Sequence, residues 1–478
     1  MRLRALVAVL LCTGIASAAP PGKAAPPPPP ASAVEPVPAW PPPAAPRAVD
    51  AARAGAEWNE ANALAPWPVS ASIAFGRIAQ NPMHPSHGAA VARLGALARE
   101  LGNAATLERF FTGVQEATLQ QQAESGAVLL LAARNRYDQR LFDDAVRFAA
   151  KVDRREPEYP AAQLLASAAN VQLRRGVPAV QAAQRALQWT DEAPPSRDRA
   201  WLRDVALLAI ARIHGAAAVR LDENDLPVVS ALHLSAAVKF YEKVEPTSAL
   251  FSDAARELAW SFALAGDHVR ASGLGRWLSS AAASSPYAVD GDAVRAASAL
   301  AYCDVETARL ATRQLRARAT ALQARLGALV TATTRDDAWL ALVATAREGR
   351  LEPDVTIEIG RADRGLARRL QYLARIDAEA RVAPPGALAV ERARVVAEIA
   401  AAVRGRVTDT LANLAARLED ARRLEGAAAS TVDAQEAAMM NLRPRDRELD
   451  PWANRLPFTA PRYESALFQV PMRFSCAR

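Results

Sequence analysis

Ser252–Ala271 reads SDAARELAWSFALAGDHVRA, and this stretch decides the fold. Leu258 and Phe262 stand four residues apart, on one face of an α-helix, with the small Ala259 beside them. Gly266-Asp267 follows as the turn, because glycine accepts the left-handed backbone that ends a helix. Ala271 lies in that second helix, where a minimal side chain lets two helices cross closely. The segment predicts two antiparallel helices in tight contact at Ala259 and Ala271.

The same arrangement returns upstream and downstream. Between Gly126 and Pro157 the spacing fits a helix pair, with Ala133 small in the first helix, Phe142 and Ala145 opening the second, and Pro157 ending it. Ala169, Gly176 and Ala182 suit a further pair whose turn Pro178 makes irregular, and Ala296, Ala299 and Ala308 a degenerate one after Ala271. A unit of about 34 residues built this way is a tetratricopeptide-like repeat. One pair cannot bury its apolar face, so each must stack on its neighbours. The expected array covers 126–330, preceded by helices over 49–125, with helical patterns at Asp50–Ala63, Ser70–Gln80 and Gly88–Leu101. Val355–Ile359 is the one β-like run. The fold class is all-α, a solenoid of helical hairpins followed by long antiparallel helices.

Past Cys303 the apolar spacing lengthens. Leu310, Leu315, Leu322, Leu326 and Leu329 mark one side of an arginine-rich helix. Leu388, Val395, Ile399, Val403, Val407, Leu411, Leu414 and Leu418 mark another, from Ala387 to Met440 and on the order of 80 Å long. Such a stripe needs a cover. The Asp363–Ala380 helix can supply it as an intramolecular hairpin over 331–443, or a second copy can supply it in a homodimer.

The first residues have the layout of a secretory signal: Arg2 and Arg4, an apolar Ala5–Ile15, and Ala16-Ser17-Ala18 before cleavage at Ala19. Leu11 before Cys12 argues against lipidation. Residues 19–48, with Pro26–Pro30 and Pro41-Pro42-Pro43, suit extended polyproline rather than a core. These features predict a periplasmic or secreted chain with no transmembrane span after the signal. Its net charge of +7 comes from arginine, since only Lys23, Lys151, Lys239 and Lys243 are lysines. Export argues against nucleic acid as the partner and leaves acidic protein surfaces or wall polymers. Signal removal leaves Cys303 and Cys476, which an oxidising compartment could join, tying a tail over 444–478 to the helical body. A buried free Cys303 is the alternative.

Catalytic chemistry finds little footing. His84 and His87 have ligand spacing but stand beside Pro82 and Pro85, and a surface turn fits them better than a zinc site. Asp143-Asp144 and Asp336-Asp337 read as helix-start charges. No phosphate-binding glycine loop or nucleophile elbow occurs. The expectation is therefore no catalytic residue, no metal and no cofactor, with a cell-wall enzyme or its regulator as the competing class. First-helix positions that line a repeat groove map to Arg134, Tyr137, Asp138, Arg256 and Trp260. Arginine and aromatic residues are favoured anchors for a protein or peptide partner, although Trp260 can equally pack between repeats.

Ser235–Ala271, SAAVKFYEKVEPTSALFSDAARELAWSFALAGDHVRA, resembles exported tetratricopeptide proteins of myxobacteria and relatives linked to adventurous gliding motility. Ser285-Pro286-Tyr287, Tyr302-Cys303 and the tail residues Pro457-Phe458, Tyr463, Leu467, Phe468 and Cys476 are similar to that family's later segments. Arg276 and Ser465-Ala466 depart from it, as in a diverged paralogue. The resemblance implies an envelope scaffold that docks other envelope proteins or peptides, in a motility or envelope-assembly complex.

Overall fold

In the computed structural model, residues 46–102, 107–122, 125–194, 196–221, 227–280, 287–360, 364–382 and 388–441 are described. The signal-like segment, nearly all of the proline-rich segment and the tail expected over 444–478 lie outside them.

The chain opens with α1 (Ala51–Ala63), α2 (Pro68–Ala79) and α3 (His87–Glu100), followed by a 3-10 turn, Leu107–Phe111, and the short α4 (Glu116–Gln121). Asp50 caps α1 by accepting from the Arg53 amide at 2.9 Å. Pro68 opens α2, where its missing amide hydrogen costs nothing.

Paired helices follow: α5 (Gly126–Asp138) with α6 (Phe142–Ala150), α7 (Tyr159–Gln172) with α8 (Gly176–Glu192), and α9 (Arg197–Ala218) with α10 (Ala231–Tyr241). Then come α11 (Phe251–Ala265) with α12 (His268–Ser279), and α13 (Ala288–Ala301) with α14 (Val305–Ala332). This is the tetratricopeptide-like hairpin architecture. Ala133, Ala145, Ala259 and Ala271 are fully buried. Where α12 meets α13, the Cβ that any other residue would place on Gly275 or Gly291 would run into backbone of the facing helix.

The turns repeat as closely as the helices. Arg140, Arg174, Gly266 and Cys303 all have left-handed φ, between 58° and 82°. One residue later the amide reaches back five positions: Leu141 to Arg136, Arg175 to Asn170, Asp267 to Phe262 and Asp304 to Ala299, at 2.8–2.9 Å. That is the bond by which a helix closes its last open carbonyls. Only one of the four turns uses glycine, which explains why the repeats read as degenerate. Pro178 lies in the first turn of α8, where proline is tolerated.

Between α9 and α10 the turn is replaced by a small antiparallel hairpin, β1 (Val219–Leu221) on β2 (Pro227–Val229), with Val219 opposite Val229. The sequence reading missed it and placed β character at Val355–Ile359 instead. That run lies inside α16 (Pro353–Gly360), opened by proline and burying Val355 and Ile359 at helical spacing.

After α14 come α15 (Asp336–Arg347), α16, α17 (Arg364–Glu379) and the 54-residue α18 (Leu388–Asn441). Helix α18 packs along α14 and also against α13, α15 and α17. Its stripe is covered within the chain: Val395, Ile399, Val403 and Val407 are fully buried and Leu414 nearly so. Each such side chain contributes about 1.5–3 kcal/mol when removed from water. The expected α17–α18 hairpin exists, but α14 supplies the larger share of the cover. A second copy is not needed for it.

Candidate functional site

The groove positions of the later hairpins are not open. Trp260, on α11, is only 4% exposed. Above its ring, at 5.6 Å, sits the Arg417 guanidinium from α18. Arg417 Nε also lies 2.7 Å from Asp290 Oδ1, and its Nη1 donates to Asp420 at 2.7 Å. Arg256, one turn before Trp260, stacks over Tyr287 at 4.4 Å and stands 3.9 Å from Asp290. The Tyr287 hydroxyl donates to Asp253 at 2.6 Å. Buried charges persist only when paired in this way. The face expected to receive a partner is thus filled by the chain's own last helix, and Trp260 takes its packing role.

The earlier groove positions lie at the other end of that helix. Tyr137 packs edge-on against Phe142 at 5.3 Å, bracing the α5–α6 turn, and Arg134 is half-buried. Asp138 is exposed as a residue, yet the protein crowding its carboxyl pushes the pKa up to about 6. Repulsion from Glu108 adds to the burial, while Arg134 and Arg369 pull the other way. Glu398 of α18 also acts on Asp138, and burial pushes the Glu398 carboxyl up in its turn.

Beside this pair lies a buried ionic knot. Both Glu391 oxygens accept from Arg109 Nη2 at 2.8 Å, and the carboxylate also accepts from Tyr372 at 3.0 Å and Arg394 Nη2 at 2.6 Å. Arg394 continues to Glu398. Two turns of α17 beyond Tyr372, the Glu379 carboxylate accepts from the Val69 and Ser70 amides at 2.8 and 3.0 Å, capping α2 from a distance. The C-terminal arm is therefore fastened to the N-terminal helices at one end and plugged into the last hairpins at the other. Sequence reasoning missed Glu391, Arg394 and Arg417. The available signal was a row of charges falling inside the apolar stripe of α18.

Between the two anchorages α18 makes no extensive contact with α7, α8, α9 or α10. On the turn edge of the first two hairpins Leu141, Val171 and Val177 are exposed beside Arg140, Arg174 and Arg175. Arg175 joins the two turns through Asp143 at 2.7 Å. A shallow polar cleft lies near the base of α9, around Arg199, Arg203, Asp204 and Ser248.

His84 and His87 do not form a surface turn; both are buried. His84 Nδ1 accepts from the Ser86 amide at 3.0 Å, and its Nε2 lies 3.5 Å from Glu57. Burial pushes the His87 pKa down. The paired aspartates lie where helix-start charges belong, in the first turns of α6 and α15. Among the described residues no group of three or more histidine, cysteine or carboxylate side chains is placed to hold a metal ion.

Cys303 is the only cysteine among the described residues, and it is engaged rather than free. Cys476, the partner expected for it, lies outside them, and among the described residues ion pairs and helix packing fasten the C-terminal arm. No described helix is long and apolar enough to cross a membrane.

No family model matches the chain, and no curated protein does. Among solved structures it is similar to a tetratricopeptide repeat protein from Parabacteroides merdae, at 14% identity and a TM-score of 0.32, over 55% of this chain and 92% of that one. A likeness at that score adds nothing to what the helix pairs themselves establish.

Proposed function

We propose that this chain is a protein-binding scaffold of the cell envelope, docking a partner along its middle hairpins. One observation carries the reading. The last helix packs on α13 and α14 and reaches Trp260 of α11 through Arg417, but makes no extensive contact with α7–α10, and aliphatic residues are exposed on the neighbouring turn edge. Leu141, Val171 and Val177 beside Arg140 and Arg174 suit a protein partner presenting apolar and acidic residues. The envelope setting is supported by the signal-like first eighteen residues, and the motility or assembly context by the resemblance of Ser235–Ala271.

The test is in-cell crosslinking of the tagged native chain, with the captured partner identified by mass spectrometry. Both valines are exposed, so Val171→Asp with Val177→Asp should leave folding intact and abolish capture of the same partner. Undiminished capture by the folded double variant would overturn the placement of the docking face. Recovery of the chain from the cytoplasm with Ala5–Ile15 still attached would overturn the envelope assignment.

A further inference from the structure

The small β-hairpin that replaces a turn between α9 and α10 brings two histidines together. His214, near the end of α9, and His233, in the first turn of α10, place their Nδ1 atoms 3.4 Å apart. Their rings are tilted by 31° with centroids 5.6 Å apart. Phe240 stacks almost parallel on His214, at 6.2 Å and 6°, which occupies a ring face and leaves the ring edge toward His233. The helices carrying the pair are tied by β1–β2 and by the Ser230 amide donating to Ala218 at 2.7 Å. Both residues are half-buried, so solvent reaches them while their positions are constrained.

Two imidazole nitrogens at this distance can share one proton or receive one metal ion. Histidine binds zinc at about 2.0–2.1 Å, and the tetrahedral angle then sets two ligating nitrogens about 3.4 Å apart. Imidazole is also the ligand that selects zinc, copper or nickel over calcium or magnesium.

We propose that His214 and His233 form a two-histidine site for Zn(II). The pair supplies two of four positions, so water or a partner's side chain takes the others and the ion exchanges readily. Its test is independent of any partner.

The experiment titrates chelator-stripped, untagged full-length protein with zinc chloride by calorimetry. One zinc per chain should bind in the micromolar range. His214→Ala and His233→Ala should each weaken uptake by at least about tenfold, since even losing a group behind a metal ligand costs about that much. Circular dichroism should show both variants folded. The wild-type chain gives a second readout through its histidine ring resonances. Zinc should shift those of His214 and His233 and leave those of His84, His87 and His268 in place. Absence of saturable uptake, full affinity in either folded variant, or shifts confined to the other three histidines would each overturn the site.

Discussion

Removing the Glu391 side chain tests whether the C-terminal arm is a structural clamp. In Glu391→Ala the change is confined to a carboxylate that is 1% exposed and accepts from Arg109, Tyr372 and Arg394. Truncation leaves Arg109, itself only 11% exposed, and Arg394, at 6%, as buried cations without that acceptor. Breaking a buried ion pair from one side costs about 3–5 kcal/mol. Arg394 retains Glu398, which places the expected loss toward the lower end, about 3 kcal/mol. Urea unfolding followed by circular dichroism reads this as a lower midpoint with an unchanged slope. Adding Arg109→Ala should cost less than the sum of the two single changes, because the second removes a charge the first has orphaned. Acid supplies an independent check. Burial alone would push the Glu391 carboxyl up, but the Arg394 hydrogen bond and the Arg109 charge outweigh it and hold it below its ordinary 4.5. The unfolded chain therefore binds this proton first, and the stabilisation is complete above pH 4.5 and lost as pH falls through the folded value. Glu391→Ala should remove that part of the acid sensitivity. A stability change below about 1 kcal/mol, the scale of an exposed ion pair, would refute the clamp.

Ala259→Leu places extra methylenes at a fully buried helix contact and should cost about 1–3 kcal/mol by thermal or urea unfolding; an unchanged melt would mean the proposed repeat register is wrong. Trp260→Ala should destabilise the chain by about 3–5 kcal/mol and leave partner capture by the folded fraction unaltered, whereas lost capture at full stability would restore Trp260 to an open groove. Burial pushes the His87 pKa below its ordinary 6.5, so the unfolded chain takes the proton first and stability should fall as pH drops from 6.5 through the folded value. His87→Leu should flatten that slope in urea midpoints measured between pH 7 and pH 5, and an unchanged slope would place the titration elsewhere.

What the sequence determined by itself was local. Helix periodicity, the cap at Asp50, the turn at Gly266-Asp267, and the alanines at 133, 145, 259 and 271 specify helices and their pairing through residues a few turns apart. Even there a search for glycine turns stops short, since Arg140, Arg174 and Cys303 adopt the left-handed backbone that only Gly266 announces. The tertiary structure alone decided where the pairs lead. Periodicity shows that the α18 stripe needs a cover, but a stripe of valine and leucine carries no address for the helix that covers it. Arg109 finds Glu391 across 282 residues, and Val69 finds Glu379 across 310. Those contacts join segments that only the stacked hairpins bring side by side. The arginine and tryptophan that read as a docking face became the lining of an occupied groove for the same reason: the occupant, Arg417, is remote in sequence and adjacent only in the finished fold.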